Sequence, residues 1–208
     1  MNQYILQEKE LLKELYQTIR KVPLEWIELH EVKDEICDCL LVGYNQAAIA
    51  LTNHFFERIM KLALIYHSAD NAKFGSLDVF DTIYKDAVDL YDDKQLHCNI
   101  EKCRKEGLIS IEKEKTLIKW KEKVRNGFSH AELKKVFGEE KAKVYSASFA
   151  DPAGGQLKEI PLHTVLFMQG IAQKEWAESV APMFFKEVFY TLLEIEKKVN
   201  FGNTTLAP

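Results

Sequence analysis

The chain reads as an all-α protein, an up-and-down helical bundle carrying a small β-insertion. Three observations carry that reading. Apolar residues recur at spacings of three and four through most of the 208 residues. Gly and Pro are sparse, 9 and 5 in all, and several fall between periodic stretches. Only the region around 143–168 trades this rhythm for β-branched and aromatic residues around a Gly-Gly turn signal.

Taken in order, Ile5, Leu12, Leu15, Tyr16 and Ile19 mark one side of an amphipathic helix over 2–21, which Pro23 ends. Residues 31–67 predict one long helix, or two joined near Gly43, with Ile36, Leu40, Ala47, Ala48, Leu51, Phe55, Ile59 and Leu62 facing a core. The small residues Ala47, Ala48 and Ala50 would let another helix approach closely, which makes this the central helix. After the turn-rich stretch 68–75, Ser76 or Asp78 caps a helix over 77–92, with Val79, Phe80, Ile83, Ala87, Leu90 and Tyr91 inward. A shorter helix covers 94–106 and ends at Gly107. Ser110 opens the next, 111–126, as a single-hydroxyl cap, burying Leu117, Trp120 and Val124. A hairpin or ordered excursion is expected at 143–168, turning at Asp151 to Gly155, and a final helix at 172–200, which Pro182 starts or kinks. The tail, 201–208, reads as frayed, and His163 is too isolated to assign.

Composition sets bounds. A chain of this length with 47% hydrophobic residues suffices for one substantial core, so one domain is expected over 1–208. The N-terminus lacks the basic and apolar regions of a secretion signal, and no uncharged apolar run approaches eighteen residues, so a cytoplasmic location without membrane contact is expected. The cysteines Cys37, Cys39, Cys98 and Cys103 read as buried reduced thiols, since Cys37 and Cys39 project to opposite sides of a helix and cannot share a metal. No zinc cluster, Walker loop or dinucleotide fingerprint is present, and neither metal nor cofactor is expected. The net charge is −4, yet residues 102–143 hold 13 Lys+Arg against 7 Asp+Glu. Such a basic stripe attracts a polyanion, or else is a solvated face in which Glu112, Glu114 and Glu122 pair with the lysines.

The residues with the most chemistry are Arg125, Asn126 and His130, in KWKEKVRNGFSH at the end of the 111–126 helix. Arginine is a permanent cation with a planar fork of donors that suits phosphate, and histidine moves a proton near neutral pH. Five residues of ideal helix would set His130 about 140° from Arg125. A shared site therefore requires the helix to be distorted or interrupted at 126–128, where Gly127 and Asn126 tolerate a turn. On the central helix, Asn53 and Glu57 lie one turn apart, with Gln46 two turns before Asn53. Glu57 either orients the Arg125 guanidinium or is a surface group paired with Lys61, and His54 reads as a structural histidine.

The R-N-x-x-x-H motif, the helix–turn–helix from Cys98 to His130 and the alanine-paired helix GYNQAAIALTNHFFE together resemble the HEPN superfamily over about residues 32–130, with 172–200 as a last helix. The resemblance implies a metal-independent endoribonuclease that leaves a 2′,3′-cyclic phosphate, in a toxin or antiviral defence role. Arg125, Asn126 and His130 would be catalytic, Glu57 and Asn53 supporting, and Lys119, Lys121 and Lys123 the RNA contacts. One Arg and one His are few groups for both ends of a scissile bond, so a two-fold homodimer sharing a cleft is expected. An antitoxin or regulatory protein would be a further partner. In one toxin subgroup a tyrosine stands two residues after the motif histidine; here that position is Glu132, so that subgroup's regulatory modification does not carry over. Two other readings stand beside this one: an inactive HEPN-like module binding nucleotide, RNA or protein, and an unrelated helical protein in which RNGFSH is a basic helix end.

Overall fold

Asn45 to Ser68 is the helix around which the others pack, and its sequence explains why. Ala48, Ile49, Phe55, Phe56, Ile59, Met60 and Ala63 have no solvent exposure, so apolar groups occupy several sides of the helix at once. A computed structural model describes residues 3–69, 84–126, 128, 134, 138–148 and 151–200. The order is α1 (Gln3–Lys21), a 3-10 turn (Ile27–Leu29), α2 (His30–Val42), α3 (Asn45–Ser68), α4 (Lys85–Tyr91), α5 (Leu96–Lys105), α6 (Ile111–Trp120), a π-helical segment (Lys121–Asn126), β1 (Lys141–Ser148), β2 (Asp151–Pro161), a second 3-10 turn (Leu162–Thr164) and α7 (Leu166–Asn200). It is an all-α bundle with a two-stranded β-insertion. No helix among the described residues is long and apolar enough to cross a membrane.

The helix 31–67 is two helices. Gly43 takes a left-handed conformation at φ +82°, which lets the Tyr44 N–H reach back to the Cys39 carbonyl at 2.7 Å and closes α2 before α3 begins. Gly107, at φ +73°, ends α5 in the same way, and the Ser110 hydroxyl accepts the Lys113 N–H at 3.1 Å to start α6.

Packing of α3 against α7 forms the main seam. Phe55 meets Phe185 and Phe56 meets Phe184, with ring centroids 6.3 and 6.2 Å apart, and Trp120 of α6 stacks on Phe184 at 5.4 Å. One contiguous apolar cluster joins residues of α1 through α7. Of the small residues expected in this interface only Ala48 is buried; Ala47 and Ala50 face outward. His54 is exposed rather than structural, Trp120 is half-buried, and of the four cysteines only Cys37 and Cys103 are buried, Cys98 being exposed.

Several boundaries differ from expectation. The helix placed at 77–92 is described from Lys85, since residues 70–83, with Ser76 and Asp78, lie outside the described residues. Its Leu90 is 53% exposed, while Ala87 and Tyr91 are buried against the body. The turn expected at Asp151 to Gly155 is strand instead. Ser148 pairs with Asp151, so Asp151 already belongs to the ladder, and the register is irregular between Ser146 and Ser148. Gly155 is tolerated in β2 because the Tyr145 ring lies across it and occupies the space a Cβ would take. The last helix begins at Leu166, six residues before the expected 172, and Pro182 lies within it.

Two charged side chains hold the link from α1 to α2 from the inside. Lys33 is 1% exposed, and its ammonium donates to the Arg20 and Val22 carbonyls, both at 2.8 Å, while pairing with Asp34 at 3.2 Å. Glu196 of α7, 5% exposed, accepts the Trp26 N–H at 3.0 Å. Burial pushes the Glu196 carboxyl above its ordinary range against the opposing pull of that N–H. A group that binds its proton more tightly when folded stabilises the fold on protonation. Stability therefore rises as pH falls from neutral through the raised folded value, and levels off below the ordinary carboxylate value. In thermal melts between neutral and mildly acid pH, the Tm of the native chain should gain on that of Glu196→Gln as pH falls; a difference independent of pH contradicts this assignment.

Candidate functional site

Arg125 stands in the π-helical segment, where hydrogen bonds of i to i+5 widen the turn. The helix is thus already distorted over Lys121–Asn126; of the stretch 126–128 where a break is expected, Asn126 belongs to this segment, Phe128 is helical and Gly127 lies outside the described residues. Val124 remains fully buried, which anchors the segment and sets Arg125 beside it, facing α3.

There the guanidinium meets Glu57. Its Nε and Nη2 both donate to Glu57 Oε1, at 3.0 and 2.8 Å. Nη1 donates to Asn126 Oδ1 at 3.1 Å, and the Asn126 amide donates in turn to Glu122 Oε2 at 3.3 Å. Arg125 and Glu57 keep 32% and 35% of their side-chain surface, so the pair lies at the rim of the bundle with guanidinium edges open to a ligand. Asn53, one turn before Glu57, is buried. Three residues after Arg125, Phe128 stacks nearly parallel on Trp176 of α7 at 5.8 Å, both rings half-buried.

Structure thus joins Arg125, Asn126 and Glu57 in one network. His130 and Gly127 lie outside the described residues. Glu57 pairs with Arg125 and not with Lys61, whose partner is Asp92 at 3.2 Å. Glu122, read from sequence only as a surface partner of lysines, also orients Asn126; its place four residues before Asn126 is the signal that was available.

Part of the basic stripe is engaged in ion pairs. Lys102 pairs with Glu106, Arg104 with Glu114, Lys113 with Glu187 and Glu194, and Lys121 with Glu122. Lys121 keeps only 15% of its side-chain surface and is not a solvent-facing cation. Lys119 and Lys123 are exposed and have no ion pair among the described residues. Among those residues no three His, Cys, Asp or Glu side chains converge as metal ligands.

Compared with protein-family models, with curated proteins and with solved structures, the chain finds no match.

An ion pair with about a third of each partner exposed adds little to stability. Arg125→Ala should cost about 1 kcal/mol or less in urea denaturation, whereas Leu117→Ala, which empties a site with no solvent exposure, should cost about 2–5 kcal/mol. An Arg125→Ala loss as large as that of Leu117→Ala would mark Arg125 as a structural group.

Proposed function

We propose that the chain is a HEPN-like endoribonuclease that cleaves RNA without a metal ion, as a homodimer, in a toxin or antiviral defence role with an antitoxin or regulatory protein as partner. The observation that carries this reading is the way Arg125 is held. Three of its nitrogens are fixed by Glu57 and Asn126, while the group stays at the protein rim, so the cation is oriented before any phosphate arrives. In this reading the 2′-oxygen of RNA attacks the adjacent phosphorus, its proton passing to the imidazole of His130. The bond to the 5′-oxygen breaks, and that oxygen takes a proton from the second His130 of the dimer, leaving a 2′,3′-cyclic phosphate. Arg125 stabilises the charge that grows on the phosphoryl oxygens, Glu57 and Asn126 fix its direction, and Lys119 and Lys123 meet the flanking backbone.

A second reading has its own support. Glu57 already matches the charge of Arg125, as suits a HEPN-like module that binds nucleotide, RNA or protein without cleaving it.

Digestion of labelled RNA in EDTA separates the two. The nuclease reading expects cyclic-phosphate ends, with Arg125→Ala and His130→Ala each lowering the rate by about a hundredfold or more. Glu57→Gln, which loosens the guanidinium without removing it, should lower the rate by about tenfold. Salt-sensitive RNA binding with no cleavage by the native chain overturns the nuclease reading and supports the second.

A further inference from the structure

Beside the Arg125 network, Phe128 and Trp176 form a step of two rings at the surface of the bundle. We propose that this step is a stacking subsite for an unpaired RNA base, the base of a nucleotide whose phosphate Arg125 holds. The proposal rests on the reading that Arg125 meets an RNA phosphate, whether or not cleavage follows.

Three observations support it. The first is exposure. Phe55, Phe56, Phe184 and Phe185, the rings of the α3–α7 seam, have no solvent exposure, whereas Phe128 and Trp176 pack against the same core and keep surface open to solvent.

Secondly, the two planes lie only 13° apart, against 48° and 81° in the buried pairs of the seam. With centroids at 5.8 Å the rings are offset and not eclipsed, so neither covers the whole face of the other. Tilted rings interlock within a core. Parallel, offset and partly open rings present a flat aromatic face, which is what a base stacks on.

The third observation is placement. Arg125 is anchored on α3 through Glu57 and Phe128 on α7 through Trp176, so the cation and the rings stand on the two flanks of one helix seam. Three residues of chain span at most about 11 Å, whatever path the backbone takes between them. A single nucleotide and the two side chains bridge such a gap, phosphate at one end and base at the other. Stacking the base then fixes the sugar between them, and with it the 2′-oxygen that the nuclease reading brings to phosphorus.

Two short strands test the subsite. One is a hexamer of 2′-deoxyadenosine, which has no 2′-OH to attack and stays intact, and the other carries the same phosphates on abasic spacers. In competition fluorescence anisotropy the native chain should bind the base-bearing strand about fivefold or more tighter, the gain of one base stacked on an aromatic side chain. Phe128→Leu, which keeps an apolar group against Trp176, should bring that ratio down toward one, and Phe128→Tyr, which keeps the ring, should preserve it. Arg125→Ala should weaken binding of both strands. Equal binding of the two strands by the native chain overturns the proposal. So does a Phe128→Leu chain that weakens both strands alike, which makes the ring a packing group only. Binding of neither strand removes the reading of Arg125 along with the subsite, whereas equal binding of both strands that Arg125→Ala weakens strikes the subsite alone.

Discussion

A helix that is apolar on several sides leaves its few polar residues no choice of surroundings. That constraint on α3 organises the molecule. Burying Phe55, Phe56, Ile59 and Met60 calls for α7 on one flank and α2, α4 and α5 on the others, and the paired phenylalanines of α7 answer those of α3 ring for ring. Where the apolar surface stops, Glu57 emerges at the rim and must be matched, and the guanidinium that matches it comes from the widened turn after α6. The packing of the core and the position of the most chemically capable arginine are thus consequences of one composition. A straight α-helix through Lys121–Asn126 would present its side chains at other angles to α3, so the π-turn and the ion pair belong to the same arrangement.

Much of this was legible before any coordinates. The 3.6-residue rhythm located the helices, and Gly43, Gly107 and Ser110 announced their ends, because left-handed backbone and a free hydroxyl at an N-terminus are local chemistry needing no tertiary context. The approach of Glu57 to Arg125 was open to inference, since a carboxylate beside an apolar face asks for a cation, though Lys61 on the next turn was an equally close candidate. Other features carried no such signal. Lys33 and Glu196 look like surface charges by identity; only the carbonyls left free at the end of α1 and the N–H of Trp26 explain why they lie inside.

The misread places share a cause. Asp151-Pro-Ala-Gly-Gly has the residues of a turn, but pairing of Asp151 with Ser148 draws it into the strand, and an aromatic ring from the opposite strand covers the glycine that would otherwise weaken β2. Leu90 fits a helical apolar stripe, yet the body of the bundle meets α4 through Ala87 and Tyr91 and leaves Leu90 outside. In each case local propensity was real and the tertiary setting decided the outcome.

The hairpin has one more consequence. Among the described residues it is a sheet of two strands, with two outer edges whose N–H and C=O groups are of the kind that pairs with an extended chain, the usual seed of fibrous assembly. Lys141 and Lys143 on β1 and Lys158 and Glu159 on β2 break up those edges with charge. A ribbon of this kind can project from a helical body without recruiting its own copies into a growing stack.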